Sequence, residues 1–184
     1  MFHLSRMKLF LVLSCLLALS CLSVETAAAA PAPLINKTII LSWTREVSEK
    51  RADGMIINVR RNDTRQIYVS TAGRLFIRSS GQVNRLSRTR DVVPGDNSTP
   101  EGPRDAHFEG NRLVLTRAHY SGATRVTIDF DPGFTTCAMK FVAGKEGGAP
   151  IVWRGLNGAT YELISNTVTS SSCEIRDGNL FAGQ

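Results

Sequence analysis

Val126, Ile128 and Phe130 alternate with Arg125, Thr127 and Asp129, and an apolar residue at every second position marks a strand with one buried face. The same period recurs along the chain. Ile39, Leu41 and Trp43 oppose Ile40, Ser42 and Thr44, while Ile57 and Val59 oppose Asn58 and Arg60. Ile67 and Val69 are followed by Leu75 and Ile77 across Thr71-Ala72-Gly73, where Gly73 reaches a positive φ at little cost and closes a hairpin. A second hairpin is expected over 112–131, turning at Ser121-Gly122. Further strands are expected over 136–143, 151–154, 160–168 and 173–176, with Asn157-Gly158 as the turn between the second and third of them. No stretch has a capped helical period; the nearest, 43–52, holds too few apolar residues. Short strands with turn signals at regular spacing predict an all-β fold, a single antiparallel β-sandwich or small β-barrel.

The alternation fails between residues 80 and 106. Arg85, Arg88 and Arg90 come first, then a run rich in Pro, Gly and polar residues. That composition predicts a long mobile loop, with 81–105 a flexible insertion in a single domain over 31–184.

Residues 1–30 have the build of a secretory signal peptide. Arg6 and Lys8 precede an uncharged apolar run, and Ala27 to Ala30 offer the small-residue cleavage site. The run stops at Glu25, short of the ~20 apolar residues that a spanning helix needs. Cleavage near Ala30 and a periplasmic or secreted address are therefore expected, with no transmembrane segment left afterwards. Leu19-Ser20-Cys21 approaches a lipobox, but Ala18 stands where that motif prefers Leu; Cys15 and Cys21 read as ordinary apolar residues of the leader.

Removing the leader leaves Cys137 and Cys173, an even pair whose simplest chemistry in an oxidising compartment is one disulfide. It also trims the formal charge from +6 to about +5. That excess favours anionic surfaces weakly and falls short of a nucleic-acid-binding pattern, so no nucleic-acid partner is expected and a monomer is.

The sequence holds no Gly-rich phosphate loop, nucleophile elbow or metal-binding helix motif. The expectation is a non-enzymatic chain with no catalytic residue, no metal and no cofactor. The ionisable residues weighed against it are His107, Glu109, His119, Asp129 and Asp131. For binding, Arg74, Phe76 and Arg78 share the strand face opposite Leu75 and Ile77, with Arg85, Arg88 and Arg90 following. Arginines interleaved with an aromatic ring can grip an anionic glycan or a lipid headgroup. Trp43 and Trp153 are in phase with core positions and read as core. Two other functions are carried forward: a lipocalin-like carrier holding an apolar ligand among Trp43, Phe130 and Phe141, and a secreted hydrolase using His119 with a carboxylate. Asn36, Asn62 and Asn97 each open a glycosylation sequon, relevant only in a eukaryotic secretory pathway.

The segments 34–38 (LINKT), 68–74 (YVSTAGR) and 173–182 (CEIRDGNLFA) together resemble exported β-rich bacterial proteins of unknown function. The resemblance covers nearly the whole mature chain. It implies a periplasmic or secreted address and one β domain, and it brings no catalytic residues.

Overall fold

Among the described residues, ten strands build two antiparallel sheets. The structure, a computed structural model, describes residues 29–83, 86–92, 105–119, 122–144, 151–155 and 158–181; the expected signal peptide up to Ala28 and the residues of the Ser121 and Asn157 turns lie outside them. In chain order the strands are β1 (Lys37–Arg51), β2 (Ile56–Val69), β3 (Leu75–Val83), β4 (Leu86–Val92), β5 (Asp105–Glu109), β6 (Arg112–His119), β7 (Gly122–Phe130), β8 (Cys137–Gly144), β9 (Val152–Arg154) and β10 (Thr160–Asp177). One sheet has six strands in the order β4-β3-β2-β1-β10-β9, and the other four in the order β5-β6-β7-β8. The fold is all-β, as the period-two pattern predicts. Neither sheet closes on itself, so the small barrel is not the architecture. No helix among the described residues is long and apolar enough to cross a membrane.

The two sheets meet over one hydrophobic core. The six-stranded sheet contributes Ile39, Leu41, Trp43, Ile67, Val69 and Ile77, and the smaller one contributes Phe108, Leu113, Leu115, Val126, Ile128 and Phe130. Pairing aligns them across the strands: Ile39 lies between Ile67 and Ile175, and Ile128 between Leu113 and Met139. Directly opposed residues share a face of the sheet, which gathers these apolar side chains on the inner one. At one end Ala30 packs beside Gly73, whose φ of 72° makes the turn that the sequence predicts.

Several elements are longer than the sequence pattern indicates. β1 runs through 46–51, which reads as a charged turn. The turn itself is confined to Ala52, Asp53 and Gly54, closed by the Arg51 amide donating to the Met55 carbonyl. The apolar signal fades there because two inward positions hold Arg45 and Glu49 in place of apolar residues, while pairing with β2 continues unbroken; the register slips against β10 after Thr44 and Ser48 leave their extra residues, Thr169 and Ile164, on β10. Likewise 160–168 and 173–176 belong to one strand, β10, whose Ser170, Ser171 and Ser172 are exposed and give no apolar signal.

The expected loop over 80–106 is corrected in part. β3 extends to Val83, β4 pairs back along it, and β5 begins at Asp105. Leu86 to Val92 carries polar residues at positions of both faces, so it lacks the apolar contrast by which a strand is recognised. Residues 93–104 of the expected loop lie outside the described residues.

Candidate functional site

The outer face of the six-stranded sheet carries an arginine and aromatic cluster. Tyr68 on β2 stands directly opposite Phe76 on β3, ring centroids 6.3 Å apart. The Arg74 guanidinium lies over the Phe76 ring at 5.7 Å. Arg78 sits two residues along and covers Phe181 at 4.8 Å, and Phe181 is 6.3 Å from Tyr68. Arg74, Phe76 and Arg78 are thus brought together as the alternation predicts, with Tyr68 and Phe181 added.

Phe181 escapes sequence reading because it lies beyond the last strand. It is placed by a fold-back of the chain end: the Gly178 amide donates to the Asn36 carbonyl, the buried Thr38 hydroxyl donates to the Gly178 carbonyl at 2.7 Å, and the Leu180 amide donates to that hydroxyl. A guanidinium on a ring face meets the ring through its plane and not through its N–H edge, so stacking itself orients the side chain without using a donor.

Along the same face from Thr38 the side chains turn small and polar. Ser42, Thr44, Asn62, Thr64, Ser170 and Ser172 surround an open depression of about 270 Å³. The register fixes them in rows, Ser42 between Thr64 and Ser172, and Thr44 between Asn62 and Ser170. Four residues separate Thr38 from Ser42, so depression and arginine cluster stand ~13 Å apart on one surface.

By register, two of the other sequence-predicted arginines occupy strand positions of the opposite face. Arg85 lies outside the described residues. Arg90 pairs with Ser79 and Arg88 with Gly81, in the rows of Ile77, whereas Arg78 pairs with Asp91. Register therefore assigns Arg88 and Arg90 to positions of the inner face. A contiguous surface from Arg74 to Arg90 requires one side of the sheet, and the antiparallel pairing of β4 divides it between two.

That inner face holds the site the sequence reading missed. Past the core, Arg45 is in phase with Trp43, and Arg65 with Ile67. The Arg45 Nε donates to Asp63 Oδ2 at 2.7 Å and its guanidinium covers Phe141 at 5.0 Å. Arg65 lies over the Trp43 ring at 5.5 Å. Burial pushes the Arg65 guanidinium down to about 10; Asp63 opposes that shift, and Arg117, reaching in from β6, and Arg45 add to it. The side chain stays charged at neutral pH. Three buried atoms here, Trp43 Nε1, Arg65 Nε and Ser79 Oγ, have no hydrogen-bond partner among the described residues. Leaving a buried donor unsatisfied costs ~1–3 kcal/mol, so three together mark an unusual place. The signal was present in the sequence, as charged residues in phase with a core stripe.

The carboxylate candidates have structural partners. Asp129 accepts from Arg112 Nε at 2.6 Å. Asp131 holds the 131–136 loop by accepting from the amides of Gly133, Thr135 and Thr136 and from the Thr135 hydroxyl. Those bonds, the Thr136 amide foremost, hold its carboxyl down at about 2. No cluster of three or more potential metal ligands occurs among the described residues. His119 pairs with Gly122 at one end of the β6–β7 hairpin, and Asp129 pairs with Arg112 at the other. Seven residues along a strand separate their backbones by ~23 Å, with Glu109 beyond that end, so neither carboxylate serves His119. Trp43 and Phe130 are buried as expected; of the three rings in the carrier reading, Trp43 packs on Phe141 at 6.0 Å, and Phe130 packs on Phe134 at 5.4 Å.

His107 lies between two acids, its Nδ1 3.1 Å from Asp105 and its Nε2 3.0 Å from Glu109. Both raise its pKa above 6.5, Glu109 the more. A raised pKa stabilises the fold below the ordinary value, and the gain is lost as pH rises through the folded one. An NMR titration should therefore place the His107 midpoint above 6.5, with amide protection in β5 declining across it. A midpoint at or below the ordinary value would contradict the bridging geometry.

Cys137 and Cys173 are bonded, Cα to Cα 5.6 Å, joining β8 of one sheet to β10 of the other as the cysteine pair predicts. Comparison with models of known protein families, with curated proteins and with solved structures returned no match.

Proposed function

We propose that this chain is an exported, non-enzymatic β-sandwich domain that binds an anionic glycan of the envelope or extracellular space on the outer face of its six-stranded sheet. The observation that carries this reading is the pair of arginines laid on aromatic rings, Arg74 on Phe76 and Arg78 on Phe181, with Tyr68 between them. Rings offer apolar faces to sugar carbons, and guanidinium edges offer paired donors to carboxylate or sulfate groups. The hydroxyl and amide rows around Ser42 and Asn62 extend the surface with further donors and acceptors. A flat polar strip beside a cationic, ring-bearing patch suits a long hydroxylated polymer better than a lipid headgroup, which would engage the patch alone. Export is supported by the form of residues 1–30 and by the disulfide, which fits an oxidising compartment.

The test is binding to dextran sulfate, to uncharged dextran and to phosphatidylglycerol vesicles at rising salt. Dextran sulfate should bind and weaken steeply with salt, and uncharged dextran should bind far less. Replacing Arg74 and Arg78 together by Ser should lower the affinity by about tenfold or more, because two charge-assisted contacts are lost. Binding unaffected by that change would overturn the proposal. Vesicle binding without glycan binding would overturn it in favour of a headgroup ligand.

A further inference from the structure

We infer that the inner face of the six-stranded sheet, past the core, holds a second anion site, distinct from the outer face, which takes a divalent oxyanion, a phosphate or sulfate group, on Arg65, Trp43 and Ser79. The register puts these residues in neighbouring rows of one inner surface: Arg65 lies directly opposite Ser79, and Trp43 lies beside Asp63, the adjacent position of that face on β2. Each presents a buried polar atom without a partner among the described residues: the Trp43 indole N–H, the Arg65 Nε–H and the Ser79 hydroxyl. All three can donate, which is the demand of an oxyanion and not of a cation.

Charge points the same way. Asp63 is committed to Arg45 at 2.7 Å. Nearby, Glu49 is buried against Arg61, which binds its carboxylate. The charges acting on Arg65 are that one carboxylate against the guanidiniums of Arg45 and Arg117. Asp63 bonds Arg45 and not Arg65, so the buried Arg65 guanidinium has no acid of its own among the described residues, and the shielded setting strengthens its pull on an incoming anion. A tetrahedral oxyanion offers more oxygens to the three donors than a monocarboxylate does. Gly81 belongs to the same surface: a Cβ there would come within 3.0 Å of Asp63 Oδ1, so a bare backbone lets the carboxylate lie back toward Arg45, leaving Arg65 to the site.

The experiment follows the indole N–H of Trp43 in the heteronuclear NMR spectrum of the mature chain, its peak assigned by comparison with Trp153→Phe. Inorganic phosphate and sulfate are titrated against chloride at matched ionic strength. Both oxyanions should shift the Trp43 peak saturably, and chloride should not. Arg65→Gln should weaken the response by about tenfold, as loss of a charge-assisted bond predicts. Ser79→Ala, a change that keeps every charge, should weaken it less and serves if Arg65→Gln does not fold. Arg74→Ser with Arg78→Ser should leave it unchanged, which separates this site from the outer one. Glucose 6-phosphate forms the second arm. A saturable shift with it as well as with phosphate identifies the ligand as a phosphoryl group borne on a sugar, and a shift with phosphate alone identifies a free ion. No saturable shift with any oxyanion, an equal shift with chloride, or a response untouched by both Arg65→Gln and Ser79→Ala would overturn the inference.

Discussion

Replacing Cys137 and Cys173 together by serine is expected to lower the melting temperature by ~10 °C. The bond spans 36 residues of sequence, and closing a loop of that size removes unfolded-state entropy equivalent to roughly 3–4 kcal/mol. For a domain of this size each kcal/mol moves the midpoint by ~2–4 °C. The position of the bond adds to the expectation. β8 is the outermost strand of the four-stranded sheet, and β10 lies next to the edge of the six-stranded one, so the sulfurs fasten the sheets where one core flank would open first. Calorimetry of the oxidised chain, the reduced chain and the double serine variant provides the check. The last two should coincide well below the first. Equal midpoints for all three would show that the interface holds without the bridge.

Ile39→Ala is expected to cost ~2–5 kcal/mol, the range for cutting a fully buried aliphatic side chain back to a methyl. Ile39 has no exposed surface and lies in a row with Ile67, Ile77 and Ile175. The cavity left cannot collapse readily, because strand register holds the neighbours in place. Ile40 points to the other face and is only partly covered, so Ile40→Ala should cost distinctly less. Denaturant unfolding of the two variants compares adjacent residues of identical chemistry on opposite faces. Equal losses would contradict the assignment of inner and outer faces on which both proposed sites rest.

Much of that assignment was legible along the chain. Val126, Ile128 and Phe130 announce a buried stripe, and the structure buries all three. The same alternation, applied from Leu75 to Arg78, brought Arg74, Phe76 and Arg78 to one surface. Three things defeated it. In β1 the inward positions after Trp43 include Arg45 and Glu49, so charge interrupts the apolar stripe although the strand and its pairing with β2 continue. β4 has no apolar contrast and passed for loop, so no register could be read for Arg88 and Arg90. Phe181 follows the last strand, and its place beside Tyr68 depends on hydrogen bonds to Asn36 and Thr38, some 140 residues earlier in the chain.

What the sequence by itself determined is the local part: strands in place of helices, the hairpin turn at Gly73, the inward stripe of each sheet, and the pairing of Cys137 with Cys173. Each follows from a preference of one residue or from a period of two, and needs no knowledge of distant neighbours. Only the tertiary structure decided which strands lie side by side, that neither sheet closes, and that β4 turns Arg88 and Arg90 to positions opposite those of Phe76. It also decided that Trp43, Arg65 and Ser79 share one buried surface. Those outcomes depend on register between strands remote in sequence, where a slip of one residue exchanges the faces.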